Sequence, residues 1–236
     1  MQLIVVAGPP SAGKTALIKQ IIRHFREKRR VAFLKIDVVK AFEDEELAAE
    51  FGILTAKVYS GDLCPDHAGV MVLGDTIAWA SGNGADLLLV ESAGLCLRCA
   101  PYLNQGLGIV VLSSISGIHA PLKMGAMVSL ADVAVVTKID LVSQAEREVF
   151  LQKIREAHPH VRVFETNALQ GTALQRLFDL IAASEPVEPE GLLLRGVPPL
   201  GTCTICVGKK EIGWQHHFGI VRRLEGAIAE HLFRGE

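Results

Sequence analysis

Two hydrophobic rhythms alternate along most of the chain. Residues 2–7 (Gln-Leu-Ile-Val-Val-Ala) are a mostly apolar run, the pattern of a strand covered on both faces. Residues 14–27 then place Leu17, Ile21, Ile22 and Phe25 at helical spacing with basic residues between them. The same reading predicts further strands at 31–36, 86–91, 108–113, 132–136 and 161–165, and helices at 43–51, 66–80, 144–157 and 172–183. Such a rhythm predicts an α/β fold, a mostly parallel sheet with helices on both faces.

The rhythm stops near residue 184. Residues 185–201 hold Pro186, Pro189, Pro198 and Pro199 with three glycines, a turn or linker composition. Beyond them lie Cys203-x-x-Cys206 and a cluster of Trp214, His216, His217 and Phe218. A last helix is expected near 219–233, with Ile220, Leu224, Ile228 and Leu232 on one face. The expected organisation is therefore a main domain over 1–184 and a small Cys-containing C-terminal extension over 185–236.

Composition narrows the class. Half of the 236 residues are hydrophobic and 21% are charged, enough for a sizeable core. A net charge of -2 gives no electrostatic reason to expect nucleic acid or an anionic membrane surface as partner. The apolar N-terminus leads straight into a glycine-rich loop without a basic region, so no signal peptide is expected. Apolar runs at 108–113 and 133–136 are far short of the roughly 20 residues that cross a bilayer. The expectation is a cytoplasmic protein, where five cysteines point to metal, cluster or redox chemistry rather than structural disulfides.

The strongest motif is Gly8-Pro-Pro-Ser11-Ala12-Gly13-Lys14-Thr15, a G-x-x-x-x-G-K-[ST] loop set between a predicted strand and a predicted helix. Glycines let the backbone curl so that its N–H groups face a phosphate at the helix N-terminus. Lys14 would bridge the β- and γ-phosphates and the Thr15 hydroxyl would ligate Mg²⁺. The run Asp86-Leu-Leu-Leu-Val-Glu91 ends in a carboxylate where a parallel strand meets the ligand crevice. Glu91-Ser-Ala-Gly94 then resembles a switch motif, the carboxylate holding the Mg²⁺ shell and the Gly94 N–H sensing the γ-phosphate. The competing reading of Glu91 is a solvated strand end. Asp37, just past the strand 31–36, would hold a metal-bound water or orient the attacking one, or else cap the next helix.

Thr137-Lys138-Ile139-Asp140 fits [NT]-K-x-D after a predicted strand. Its carboxylate can accept two hydrogen bonds from guanine N1–H and the exocyclic amine, which adenine does not offer. The Lys138 stem can pack on the purine face. Thr166-Asn167-Ala168-Leu169 follows the next strand, where a second base-binding loop belongs. Together these point to GTP more than ATP.

With these motifs in place the chain resembles the GTPases that help assemble hydrogenase and urease metal centres, the HypB/UreG family. The resemblance runs from Met1 to about Ala183. It takes in the P-loop, Asp37-Val-Val-Lys-Ala-Phe-Glu43, Glu91-Ser-Ala-Gly94, Ala120-Pro-Leu-Lys123 and the stretch from Ala131 to Leu141. It implies the SIMIBI class of P-loop fold, a nucleotide-gated homodimer, and delivery of metal to a client metalloenzyme. The family pattern also has a Cys-His or Cys-Pro-His motif that holds nickel or zinc across the dimer. Here the text is Cys64-Pro65-Asp66-His67, one residue longer than the urease form. Cys64 and His67 are candidate ligands that would need a symmetric partner to complete a site. The alternative is a buried structural Cys beside a helix-capping Asp66.

Two Cys-x-x-Cys pairs, Cys96/Cys99 and Cys203/Cys206, stand apart from these motifs. Each spacing lets two thiolates chelate one metal, and four complete a zinc site or a [4Fe–4S] cluster, within one chain or across a dimer. A redox disulfide or unligated thiols are the other readings. His216 and His217 would add ligands or a proton-transfer group, or simply pack. The leading expectation is a GTPase assisting metal-centre assembly, with no arginine finger evident. The alternatives are a redox activator carrying an iron–sulfur cluster and a metal-binding module with nucleotide-clamped dimerisation.

Overall fold

The computed structural model describes residues 1–38, 42–60, 64–95, 100–197, 209–216 and 230–232. In chain order these form β1 (Gln2–Ala7), α1 (Lys14–Phe25), β2 (Val31–Asp37), α2 (Glu43–Phe51), β3 (Leu54–Tyr59) and α3 (Pro65–Gly82). Then come β4 (Leu87–Glu91), β5 (Leu107–Ser113), the short helices α4 (Ala120–Lys123) and α5 (Ala126–Ser129), and β6 (Val133–Thr137). The chain continues with α6 (Gln144–Ala157), β7 (Arg162–Glu165), α7 (Gln175–Ala182) and β8 (Glu230–Leu232).

The strands lie in the order β7-β6-β5-β1-β4-β2-β3-β8, and every pairing is parallel. Side chains alternate faces along each strand, which divides the core in two. Leu3, Val5 and Ala7 of β1 join Met71 and Leu73 of α3 with Phe150 and Ile154 of α6 on one face. Ile4 and Val6 join Leu17 and Ile21 of α1, Leu47 of α2 and Leu177 of α7 on the other. This is the expected α/β sheet with both faces covered. No helix among the described residues is long and apolar enough to cross a membrane.

β1 lies between β4 and β5, and the chain proceeds from it to opposite sides of the sheet. That reversal leaves a crevice at the carboxyl ends of the central strands, where the residues after β1 must sit.

Three elements depart from expectation. β3 went unread because Lys57 interrupts its apolar run. The lysine is nonetheless buried and pairs with Glu45 at 2.7 Å and Asp44 at 3.5 Å. The second concerns the final helix expected over 219–233. Residues 230–232 are a strand, parallel to β3, while 219–229 and 233 lie outside the described residues. Without it β3 would expose an unpaired edge, and backbone pairing there outweighs the helical spacing of the side chains. Third, residues 185–197 are bound back onto the main body. The Val187 N–H donates to the Met1 carbonyl at 2.9 Å. Arg195 donates to the Leu103 carbonyl at 2.6 Å and pairs with Asp132 at 2.7 Å, and Leu192 and Leu194 are buried.

Candidate functional site: a phosphate loop and the two loops beside it

Between β1 and α1 the chain turns through Gly8 at φ 149° and Gly13 at φ 95°. A Cβ on Gly8 would stand 2.3 Å from the Val111 carbonyl oxygen, so no other residue fits that close approach to β5. Gly13 is the N-cap of α1, and Lys14 and Thr15 are its first two residues. The backbone therefore presents helix N–H groups to the crevice, with the partial positive charge of the helix end behind them.

Lys14 is 6% exposed and donates to the carbonyls of Gly8 (2.9 Å) and Pro9 (3.2 Å). Burial pushes its ammonium below the ordinary lysine range, more than the nearby Glu91 restores. The Thr15 hydroxyl donates to the Glu91 carboxylate, with oxygens at 3.0 and 3.1 Å. Glu91 is 1% exposed, so it is not a solvated strand end. Asp37 ends β2, and its carboxylate accepts from the Val38 N–H at 2.7 Å. It does not cap α2, whose N-cap is Phe42. Gly94 has φ 74°, and a Cβ there would lie 1.7 Å from the Gly8 carbonyl oxygen. The residue expected to sense the γ-phosphate is thus pressed against the phosphate loop itself.

Lys14, Thr15, Asp37 and Glu91 line a cleft of about 650 Å³. The Thr15 hydroxyl with the Asp37 and Glu91 carboxylates is an all-oxygen donor set, the kind magnesium prefers. A buried oxygen of Glu43, Oε2, has no hydrogen-bond partner among the described residues and belongs to the same cleft. The residues present fit a hard divalent cation.

The two loops expected to receive the base are fastened to the phosphate loop and to α1. Thr137 is 1% exposed, and its hydroxyl donates to the Ala12 carbonyl at 2.6 Å. Lys138, in the left-handed region at φ 57°, donates to the Ser11 carbonyl at 2.8 Å. Asp140 follows on an exposed single turn of 3₁₀ helix, Ile139–Leu141. In the second loop the Asn167 side chain accepts from the N–H groups of Leu169 and Gln170, both at 3.1 Å. Gln20 of α1 donates to the carbonyls of Ala168 (3.0 Å) and Leu169 (3.1 Å). Leu169 is 81% exposed and Ala168 is buried. One helix therefore carries Lys14 and Thr15 at its start and anchors the loop at Ala168 one and a half turns on.

Sequence reasoning missed Lys35. It is 4% exposed in the middle of β2 and donates to Glu91 at 2.8 Å, with Asp37 at 3.6 Å and Glu43 at 3.8 Å. Burial alone would lower its pKa, but Glu91, then Glu43 and Asp37, outweigh burial and raise it. A charged residue inside an apolar strand was the available signal.

Cys64 is the N-cap of α3 and makes no side-chain capping bond, so Asp66 is not the cap. Cys64 is partly exposed, while Asp66 and His67 are buried. Among the described residues no group of three or more His, Cys, Asp and Glu side chains stands at metal-holding spacing. Cys96, Cys99, Cys203, Cys206, His217 and Phe218 lie outside the described residues, and His216 is exposed.

A parallel sheet with a Gly-x-x-x-x-Gly-Lys-Thr loop at its switch point defines a P-loop nucleotide-binding protein. More narrowly, residues 2–165 match the CobW/HypB/UreG nucleotide-binding domain, and the chain belongs to that family. It is 39% identical over 228 residues to the uncharacterized protein MJ0120 of Methanocaldococcus jannaschii, covering 96% of this chain and 97% of that one. In fold it is similar to the hydrogenase maturation factor HypB of Archaeoglobus fulgidus, with a TM-score of 0.64 at 21% identity, covering 77% of this chain and 89% of that one. It is equally similar to HypB of Helicobacter pylori, solved in complex with nickel, with a TM-score of 0.64 at 18% identity over 77% and 86% of the two chains.

Proposed function

We propose that the chain is a GTPase whose nucleotide state drives assembly or insertion of a metal centre in a client enzyme. The observation that carries the nucleotide part is the hydrogen bond from Thr15 to Glu91 at the mouth of the phosphate loop. It joins the end of β4 to the start of α1, where a magnesium nucleotide is held in P-loop proteins. Membership of the CobW/HypB/UreG family supports the metal part of the reading.

In this reading Gly8 opens the loop, the N–H groups from Ser11 to Thr15 cradle the β-phosphate, and Lys14 neutralises charge on the β- and γ-phosphates. Magnesium, when bound, would supply positive charge to offset what develops on the phosphates. Thr15, Asp37 and Glu91 would hold it, and Asp37 would also orient a water. The Gly94 N–H senses the γ-phosphate, while Thr137, Lys138 and Asp140 with Asn167, Ala168 and Leu169 receive guanine. Hydrolysis breaks the bond between the γ-phosphorus and its bridging oxygen and transfers the phosphoryl group to water.

Gly94 stands two residues before Cys96, and its contact with Gly8 supports a link from phosphate occupancy to the Cys96/Cys99 pair. Those cysteines, with Cys203 and Cys206, are the proposed ligands of zinc, nickel or a [4Fe–4S] cluster, and Cys64 with His67 a second ligand pair completed by another copy of the chain. The deciding test is GTP turnover by wild type and Lys14→Ala. We expect kcat to fall by about 100-fold or more in the variant. Unchanged turnover would remove the assignment.

A further inference from the structure

Lys35 is a buried cation for which the phosphate-binding signature gives no role. Its ammonium lies 2.8 Å from Glu91 Oε1, the same oxygen that stands 3.0 Å from the Thr15 hydroxyl. Asp37 and Glu43 face it at 3.6 and 3.8 Å. The side chain is 5% exposed, so solvent screens its charge weakly. β2 is paired on both sides, with β3 and β4, which fixes where that charge stands.

Electrostatics then gives the sign. The cleft sets two ammonium groups, Lys14 and Lys35, against the carboxylates of Asp37, Glu43 and Glu91. A positive charge one oxygen away from Thr15 opposes a divalent cation entering beside that hydroxyl. The same charge favours the phosphates of a nucleotide that arrives without metal. We propose that Lys35 is a built-in counter-ion that weakens the dependence of nucleotide binding on divalent metal. The proposal rests on the P-loop reading above and adds a regulating residue to it. A purely structural ion pair would behave otherwise, since its loss would lower stability and leave that dependence unaltered.

The test is equilibrium binding of fluorescent GDP and ADP to the full chain, in EDTA and in saturating Mg²⁺. Wild type is compared with Lys35→Met, Lys35→Gln and Lys35→Arg, and thermal unfolding checks that each is folded. Lys35→Gln keeps a donor for Glu91 without the charge. In both neutral variants the ratio of affinity with metal to affinity without it should rise by about ten-fold or more. Lys35→Arg should stay near wild type. A ratio unchanged in the neutral variants overturns the proposal, including the case in which binding falls equally in both conditions. If wild type binds nucleotide but the ratio does not move, only the role of Lys35 fails. If wild type binds neither nucleotide, the P-loop reading fails with it.

Discussion

The Thr137 hydroxyl donates to the carbonyl of Ala12 at 2.6 Å, joining the end of β6 to the middle of the phosphate loop. Both groups are buried, so the bond has no competition from water. Thr137→Val keeps the shape and removes the donor, leaving the Ala12 carbonyl without this partner. We expect a loss of about 1–3 kcal/mol in denaturant unfolding, together with weaker nucleotide binding. A variant as stable as wild type would mean that the two loops are coupled by some other contact.

Gly94 presses on Gly8 closely enough that no side chain fits between them. An alanine there would put its Cβ 1.7 Å from a backbone oxygen while demanding φ 74°. Neither backbone can yield without moving the phosphate loop. Gly94→Ala should therefore cost about 1–3 kcal/mol in nucleotide binding. Gly52→Ala is the matched control, because Gly52 also has positive φ but its Cβ would meet nothing within 4 Å. It should lose stability only, at about 1 kcal/mol, with nucleotide affinity intact. Similar nucleotide affinities in the two variants would sink the argument from close approach.

Asp140 is exposed at the tip of its turn, which separates the proposed role in base recognition from any role in folding. Asp140→Ala should leave the unfolding midpoint near wild type. Its preference for GTP over ATP in competition binding should fall by roughly 100-fold or more, because the paired acceptors for guanine are gone. Retained preference would move base selection to the loop at Asn167.

Legibility in the sequence followed how local each cause was. The phosphate loop was readable because Gly8 and Gly13 answer a backbone demand, and the neighbouring strand and helix have strong periods of their own. Glu91 was found from its place at the end of an apolar run. Lys35 and Lys57 were not, since each is a charge whose burial is made tolerable only by carboxylates distant in sequence. β8 was hidden for a related reason: its conformation answers the open edge of β3, which no reading of residues 219–233 alone contains. Lys35 shows most plainly what the motif search lacked, for it belongs to the same cleft as Lys14 yet sits outside every phosphate-binding pattern.

α6 offers a pH test with a defined sign. Ser143 and Glu146 form a reciprocal cap: the Glu146 carboxylate accepts from the Ser143 N–H at 2.9 Å and the hydroxyl at 2.7 Å, and the Glu146 N–H donates back at 3.3 Å. These bonds to Ser143 hold the Glu146 carboxyl below its ordinary value of 4.5 in the folded state. As pH falls through that value the unfolded chain takes up the proton first, so the unfolded state gains relative to the folded one. The contribution is complete above about pH 4.5 and disappears as pH drops through the lower, folded value. Glu146→Gln cannot titrate. Its unfolding midpoint should lie below that of wild type at neutral pH, and the gap should close steadily on acidification. Because the cap is exposed, high salt should narrow the neutral-pH gap as well. A gap that widens toward acid pH would show that the carboxylate is not stabilised by the cap.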